Sequence, residues 1–352
     1  MNVWMRILTT ALLAAGLALP PAEALAAPAQ QTDGKRQYDQ GLKLYREGNY
    51  EGALAALKQA VELEPRSAEA HYLLGMVYFN GRKQPDEAIA ELNRAIQLNP
   101  RFGQAYYDLG LIYQAHGKRG DAEQALKKAI ELSADKEPAS LALARLYERN
   151  RDTAKAIQTY QALLTLKPDH AGALYSLGYL YESQGEGRRA REMLDRLVKT
   201  MPNHPDAWYL LGRIAEKDNR QPDAVAAYRQ AIAAKPDLVD AHYNLGFLYR
   251  SLSKRDEALK EFQEVVRLKP EYAEAHLNLG VIYTSLEKLD EAEKEYEKAI
   301  ELKPGLAEAH YNLGIFYELH RKDTAKALAH YRKYLELGGK DERVERIVGK
   351  RQ

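Results

Sequence analysis

The chain of 352 residues carries 51 basic and 50 acidic residues and no cysteine. No block of like charge is long enough to form a phosphate-binding stripe or a polybasic membrane patch, so nucleic acid is not an expected partner. Without cysteine there is no disulfide, thiolate nucleophile or cysteine-bound metal. Strong helix formers dominate the composition, while Val, Ile and Thr are too thinly spread for a sheet, so we expect an all-α fold.

The first 26 residues have the features of a secretory signal peptide. Arg6 precedes an apolar stretch over residues 7–19, and residues 24–26 form a small-x-small cleavage site. The apolar stretch is shorter than the ~20 residues that span a bilayer, so cleavage after residue 26 is favoured over an uncleaved anchor. We therefore expect a periplasmic or secreted protein with a flexible lead-in at 27–33, no lipid anchor, and no stable membrane insertion after signal cleavage.

Past residue 33 the sequence repeats itself every 34 residues, which predicts a stack of similar helical units. The clearest copies share a Leu-Gly pair and start at Ala241, Ala275 and Ala309. When that pair is placed at positions 7 and 8, nine repeats fill residues 34–340, and a short capping tail follows at 341–352. The predicted repeats, numbered 1 to 9, cover residues 34–67, 68–102, 103–136, 137–170, 171–204, 205–238, 239–272, 273–306 and 307–340.

Most repeats combine small residues at positions 8 and 20 with large residues at 11 and 24 and with Pro at 32. Repeat 7 shows all five, as Gly246, Ala258, Tyr249, Phe262 and Pro270. This pattern resembles the tetratricopeptide repeat (TPR) along nearly the whole chain after residue 33. The resemblance implies an all-α solenoid, in which about nine helical hairpins stack into a right-handed superhelix.

The pattern also has a direct physical reading. Positions 4, 7, 8 and 11 lie on one face of a helix, and small residues at 8 and 20 let two helices approach closely. Glycine at position 15, as at Gly48, Gly117 and Gly185, can take the left-handed conformation that ends the first helix. Proline at 32 stops the second helix, because it lacks an N–H and clashes with the preceding turn.

The pattern is interrupted in few places. Repeat 2 carries one extra residue near Pro85, and repeat 9 carries one near residues 323–324. In the tail, Val344, Ile347 and Val348 fall on one helical face, which suits a short helix that covers the last hairpin.

Positions 2, 5, 6, 9, 12 and 13 lie opposite the stacking face of the first helix. In the TPR family this set lines the concave groove. Position 6 holds Asn244, Asn278 and Asn312 in the last three repeats, and TPR proteins that hold extended peptides use such an Asn ladder. An Asn amide offers a donor and an acceptor to a main chain. The alternative is that Asn is only a common consensus residue at this position.

The same three repeats place apolar and aromatic residues beside the Asn row. Position 5 holds Tyr243, Leu277 and Tyr311, and position 9 holds Phe247, Val281 and Ile315. Acidic residues occupy position 2, as Asp240, Glu274 and Glu308, and position 12, as Glu148, Glu182, Glu216 and Glu318. Such a groove would prefer an apolar segment with a basic residue nearby. Alternatively, the position-2 acids are carboxylates favoured by the dipole at a helix start.

Catalytic and metal sites are not indicated. His242, His276 and His310 recur at position 4, but successive repeats lie ~10 Å apart, whereas histidine reaches zinc at ~2 Å. We interpret them as packing residues, and we expect no metal and no cofactor. No phosphate-binding glycine loop or hydrolase elbow occurs, and nearly all of the chain is assigned to repeats, so we do not expect an enzyme.

Two functions remain open at this point. The first is a protein-interaction scaffold or adaptor that binds an extended segment of a protein or peptide partner in the TPR groove, in cell-envelope assembly or secretion. The second is a structural subunit that forms homo-oligomers or larger complexes through its repeat ends or convex face. The resemblance implies that Lys and Arg would be needed on the groove face for the family's two-carboxylate clamp. Because the sequence puts acids and neutral residues there, we do not expect that mode.

Overall fold

The computed structural model describes residues 32–349. The predicted signal peptide at residues 1–26 and its cleavage site lie outside the described residues. Residues 32–349 form helices and connecting turns and contain no strand, which confirms the all-α fold. The described residues divide into two compact parts, an N-terminal part that ends at Lys128 and a C-terminal part that begins at Ala129.

The N-terminal part is built from helical hairpins, each with a first helix (A) and a second helix (B). Its helices are α1 (Asp33–Arg46), α2 (Tyr50–Leu63), α3 (Ala68–Val77), α4 (Pro85–Leu98), α5 (Gly103–Ala115) and α6 (Arg119–Leu132), the last of which continues past the division. Helices α1 and α2 form repeat 1, α3 and α4 form repeat 2, and α5 and α6 form repeat 3.

The C-terminal part continues the same alternation through repeats 4 to 9, so that odd-numbered helices are A helices. Its helices are α7 (Glu137–Arg149), α8 (Thr153–Leu166), α9 (Ala171–Ser183), α10 (Gly187–Thr200), α11 (Pro205–Lys217), α12 (Gln221–Ala234), α13 (Val239–Ser251), α14 (Arg255–Leu268), α15 (Ala273–Ser285), α16 (Leu289–Leu302), α17 (Ala307–Phe316), α18 (Thr324–Glu336) and α19 (Glu342–Gly349). Within this part each A helix packs most closely on its own B helix, and the B helices of repeats 4 to 8 also pack on the A helix of the next repeat.

The two helices of a hairpin meet where position 8 faces position 24. In repeat 8 a Cβ placed on Gly280 would lie 2.6 Å from Cδ1 of Tyr296, and in repeat 7 a Cβ on Gly246 would lie 3.2 Å from the ring of Phe262. Both rings are buried. The missing side chain at position 8 therefore makes room for the large residue at position 24.

The turn between the A and B helices holds one residue in the left-handed conformation in all nine repeats. Three repeats use the predicted glycine there, for example Gly185 with φ of 78°. The other six use Lys83, Arg151, Asn219, Ser253, Glu287 and Lys322. A non-glycine residue in this conformation costs roughly 1–2 kcal/mol, but the turn geometry is held by backbone bonds such as Lys288 N–H to the carbonyl of Tyr283 at 2.9 Å.

The extra residues of repeats 2 and 9 are absorbed at the end of the A helix. The backbone widens into π-helical turns at Tyr78–Arg82 and Tyr317–Arg321, in which the N–H of Lys83 bonds to the carbonyl of Tyr78 and that of Lys322 to the carbonyl of Tyr317. Single π turns are the usual way for a helix to accommodate one inserted residue. The insertions thus lie a few residues before the places that the sequence suggested.

The tail forms a short helix against the last hairpin. Val344 and Val348 of α19 are buried in a cluster with Ala327 and Tyr331 of α18, and Ile347 is half-buried beside them. The N-terminal end of α19 is capped by Asp341, whose Oδ1 accepts the N–H of Val344 at 2.9 Å. None of the helices described here is both long enough and apolar enough to cross a membrane.

The packing at position 8 predicts that a Gly-to-Ala change there destabilises the protein, although Ala is the better helix former. Ala favours a helix by ~1 kcal/mol over Gly, but at Gly280 the added methyl would overlap the ring of Tyr296, and overpacking costs about 1–3 kcal/mol. We expect Gly280→Ala to lower the midpoint of urea unfolding. The control is Gly120→Ala on α6, where an added Cβ has nothing within 4 Å, and its midpoint should stay the same or rise. Equal responses would contradict the packing role of position 8.

Candidate functional site

A cavity of about 670 Å³ lies between the A helices of repeats 7, 8 and 9. We call it the repeat 7–9 groove. Its lining residues are Tyr243, Phe247 and Arg250 from α13, Glu274, Leu277, Asn278 and Val281 from α15, Lys303 and Leu306 from the α16–α17 connection, and Glu308 and Asn312 from α17. The residues lie together because positions 2, 5, 6, 9 and 12 of an A helix fall on the side that faces away from its B helix.

Eight of the twelve residues that the sequence indicated line this groove: Tyr243, Phe247, Glu274, Leu277, Asn278, Val281, Glu308 and Asn312. The other four lie apart from its lining. Asp240 is exposed, Ile315 packs with the last core cluster, and Tyr311 stacks on Tyr334 with 5.0 Å between ring centroids. The fourth, Asn244, contacts the hydroxyls of Tyr209 and Tyr228.

Three lining residues were missed by the sequence reasoning. Arg250 occupies position 12, where the sequence drew attention only to Glu. Lys303 and Leu306 lie between the B helix of repeat 8 and the A helix of repeat 9, so the periodicity of the A helix carries no signal for them. A change of charge at position 12 within one repeat was the available signal for Arg250.

The three Asn residues have different surroundings. Asn244 Nδ2 lies 3.3 Å from Oη of Tyr209 and 3.4 Å from Oη of Tyr228. Asn278 is 5% exposed, and its Nδ2 donates to the carbonyl of Glu274 at 2.7 Å. Asn312 makes the same backbone contact, to the carbonyl of Glu308 at 2.8 Å, but the side chain is half-buried and the bond is open to solvent. The row is therefore not three equivalent amides.

Arg250 is held at the repeat 7 end of the groove by two neighbours. Its guanidinium lies over the ring of Phe247, 4.7 Å from the ring centroid, and its Nη1 donates a hydrogen bond to Oδ1 of Asn278. Phe247 is 42% exposed, so a large part of its side chain remains open to solvent. The arrangement presents an apolar surface beside a positive charge.

An ion pair lies farther along the groove. Lys303 Nζ is 2.7 Å from Oε1 of Glu274, and this hydrogen bond is the main reason that the pKa of Glu274 is lowered. Glu274 therefore stays ionised and paired near neutral pH, and Lys303 places a positive charge on the groove wall. The sequence-based view of a groove lined by acids and neutral residues is corrected by Arg250 and Lys303 together.

Three acids at position 12 accept hydrogen bonds from the B helix of their own hairpin. Where position 24 is Tyr and position 12 is Glu, the Tyr hydroxyl donates to the carboxylate, and the pairs are Tyr160 with Glu148 (2.5 Å), Tyr228 with Glu216 (2.8 Å) and Tyr331 with Glu318. Burial, and next the hydrogen bond to Glu216, raise the pKa of Tyr228, so it remains a donor. These carboxylates are occupied within the repeats, which corrects the expected acidic groove.

Glu182 is the exception among the position-12 acids, because position 24 of its repeat is Leu194. Its carboxylate is 5% exposed and pairs with Arg213 at 3.1 Å and with Lys217 at 2.5 Å, both on the next A helix. In repeat 7 the aromatic at position 24 is Phe262, which has no hydroxyl to donate. Position 12 is then free to hold Arg250.

The position-4 histidines join neighbouring repeats. Nε2 of His242, His276 and His310 lies 3.0, 3.0 and 3.2 Å from the carbonyls of Pro236, Pro270 and Pro304. Trp208 Nε1 makes the equivalent bond to the carbonyl of Pro202 at 2.7 Å. The residue at position 4 thus satisfies a carbonyl at the end of the preceding B helix, which is a packing role.

The charge states of these histidines follow from their second nitrogen. Nδ1 of His276 lies 2.5 Å from Glu295, and this hydrogen bond, against the opposing effect of burial, raises the pKa of His276. Because both of its partners are acceptors, the ring must carry both protons. His310 faces His330 at 3.1 Å, and burial lowers its pKa. Over residues 32–349 no three His, Asp or Glu side chains are grouped so as to hold a metal ion.

Comparison with known proteins agrees with this architecture. The tetratricopeptide-repeat family model matches residues 38–101, 81–137, 107–171, 141–187, 175–239, 243–307 and 288–342. No curated protein matches the sequence. The C-terminal part of a TPR repeat-containing protein from Cytophaga hutchinsonii matches with a TM-score of 0.62 at 16% identity, over 69% of this chain and 99% of that chain, which shows the same fold.

Two other solved structures match shorter stretches. YrrB, described as a TPR protein with an unusual peptide-binding site, has a TM-score of 0.49 at 24% identity, over 54% of this chain and 97% of that chain. MamA has a TM-score of 0.44 at 28% identity, over 47% of this chain and 97% of that chain.

The different surroundings of the Asn residues predict different costs of substitution. Asn278→Ala removes the acceptor for Arg250 and the donor to the Glu274 carbonyl in a buried position, so we expect a loss of about 1–3 kcal/mol in the free energy of unfolding. Asn312→Ala removes one exposed contact and should cost less than about 0.5 kcal/mol. Urea unfolding of both variants measures the two losses in the free energy of unfolding. Equal losses would refute the prediction.

Proposed function

The chain belongs to the tetratricopeptide-repeat family, and from that premise we propose that it is a non-enzymatic adaptor that holds an extended segment of a partner protein in the repeat 7–9 groove. Proteins of this family are generally protein-interaction scaffolds and bind protein or peptide partners. The family leaves open where a partner lies on this chain. The location comes from the groove itself.

The observation that carries the proposal is the exposed aromatic ring of Phe247 inside a cavity. A large apolar ring that is 42% exposed loses contact with water when a partner covers it, and aromatic residues in such pockets often dominate binding energies. Leu277 and Val281 continue the apolar surface across repeat 8. Apolar side chains of the partner that cover Phe247, Leu277 and Val281 would supply most of the affinity.

The size of the groove suits a short extended segment. Neighbouring A helices lie ~10 Å apart, and an extended chain rises ~3.3 Å per residue, so three repeats correspond to roughly six to nine residues. A cavity of about 670 Å³ is large enough to hold several side chains of such a segment. The half-buried amide of Asn312 lies at the repeat 9 end.

The assembly alternative has less support at the C-terminal end of the chain. There α19 covers the last hairpin with Val344 and Val348, so the surface that another copy would use for stacking is occupied by the chain's own residues. The adaptor function is favoured for that reason.

We also propose that the protein works in the cell envelope or outside the cell, in envelope assembly or secretion. The support is the signal-peptide pattern of residues 1–26, with a small-x-small site at residues 24–26. A partner would then be an exported or envelope protein.

The groove proposal predicts that Phe247 dominates binding. Phage-displayed random 12-residue segments, flanked by constant sequence, are selected on the purified protein, and an enriched peptide is measured by fluorescence anisotropy. Phe247→Ala should weaken its binding by about 2 kcal/mol or more, which is roughly 30-fold. Leu166→Ala on α8 is the matched control, since this side chain is 54% exposed but lies outside the groove, and it should leave affinity unchanged. Equal affinity of all three proteins would exclude the groove.

The export proposal predicts a processed N-terminus. When the full chain is expressed in a Gram-negative host, mass spectrometry of the periplasmic fraction should find protein that starts at Ala27. A variant with Ala24→Lys and Ala26→Lys should accumulate uncleaved, because signal peptidase requires small residues at these sites. Full-length wild-type protein confined to the cytoplasm would contradict export.

A further inference from the structure

We infer that the partner segment carries an Asp or Glu side chain which pairs with Arg250 next to the apolar side chain that covers Phe247. The inference rests on the proposed function, since it names the chemistry of the segment held in the same groove. It reverses the sequence-based expectation, in which a basic residue of the partner would be recognised by an acidic groove.

Arg250 is the groove cation without a carboxylate of its own. Three other cations of this part are paired with a carboxylate: Arg213 with Glu182 at 3.1 Å, Lys303 with Glu274 at 2.7 Å, and Arg343 with Glu318 at 2.7 Å. Arg250 contacts only neutral groups among residues 129–349, namely the ring of Phe247 and the amide of Asn278. A half-buried guanidinium in a cavity is therefore left for an acceptor from outside.

The two neutral contacts also orient the guanidinium. The contact with the aromatic ring and one donated hydrogen bond restrict the guanidinium, and its other N–H donors are left for a carboxylate, which can accept two of them. Because the side chain is held before binding, less conformational entropy is lost when the pair forms. The partly buried setting strengthens the pair relative to one at an open surface.

The carboxylate belongs to a side chain within the segment and not to a chain terminus. Recognition of a terminal carboxylate uses several convergent donors, and the donors nearest Arg250 are already engaged. Asn278 Nδ2 donates to the carbonyl of Glu274, and Lys303 donates to the carboxylate of Glu274. One guanidinium remains, which matches one Asp or Glu side chain.

The rest of the groove limits where the acid can lie. Glu308 lines the repeat 9 end and is exposed, so a uniformly acidic segment would be repelled there. Leu277 and Val281 lie between the two ends. The segment that fits has an acidic residue at the repeat 7 end and apolar residues after it.

The first test uses the display library described above, in which fixed flanks leave no free carboxyl terminus. Wild-type protein should enrich segments with Asp or Glu at a constant spacing from an apolar residue. Arg250→Met, which keeps an aliphatic chain over Phe247, should enrich the apolar residue without the acid. Arg267→Met is the control, because this arginine on α14 pairs with Glu264 at 2.7 Å outside the groove lining, and its selection should match the wild type.

The outcomes separate the two proposals. Failure of wild-type protein to enrich any segment removes the adaptor function and this inference with it. Enrichment of apolar segments that lack an acid overturns the inference alone and leaves the adaptor function in place. An acid preference that persists in Arg250→Met also overturns it, because the acid would then be recognised by another group.

The second test changes the peptide and so does not depend on the folding of a variant. An enriched peptide with acetylated and amidated ends is compared with its Asp→Asn or Glu→Gln counterpart on wild-type protein. The acidic peptide should bind about tenfold tighter or more, with a preference that declines as salt is raised, and on Arg250→Met the preference should fall below about twofold. A third peptide ends at the tested residue, which has the neutral Asn or Gln side chain and a free terminal carboxylate. This peptide should not recover affinity. Recovery would contradict recognition of a side chain.

Discussion

Close contact between position 8 of the A helix and position 24 of the B helix sets the geometry of each repeat in the C-terminal part. A glycine at position 8 leaves room for a large side chain, such as Tyr296 opposite Gly280. The A helix is then buried on one face only, because its B helix and the neighbouring repeats cover that face. The opposite face is packed less completely, and the repeat 7–9 groove is made from it.

The hairpin core and the groove are nevertheless linked through position 12. A buried Tyr at position 24 needs an acceptor for its hydroxyl, since an unpaired buried hydroxyl costs about 1–3 kcal/mol, and Glu216 provides one for Tyr228. Phe262 removes that need, and Arg250 can then occupy the position and face the groove. One aromatic substitution in the core thus changes the charge that a partner meets.

Most of the fold could be predicted from the sequence because its interactions are local. The 34-residue period, the small residue at position 8 and Pro at 32 are short-range signals, and each describes contacts within one hairpin or with the next. The left-handed turns were visible only where glycine occupied them. At Ser253 and Glu287 the same conformation is imposed by the backbone bonds of the turn, and residue type does not reveal it. The π turns at residues 78–82 and 317–321 likewise depend on where the helix accommodates an extra residue.

The sequence by itself determined the family and the all-α repeat fold, and helical periodicity assigned each position a direction on its helix. The tertiary structure decided which residues on the groove side are available to a partner. Asn278 is buried while Asn312 is half-buried, although both occupy position 6. Glu216 is bonded to Tyr228 and Arg250 has no carboxylate partner among residues 129–349, although both occupy position 12. Availability depends on contacts between side chains of different helices, and those distances are not encoded in the period of any one helix.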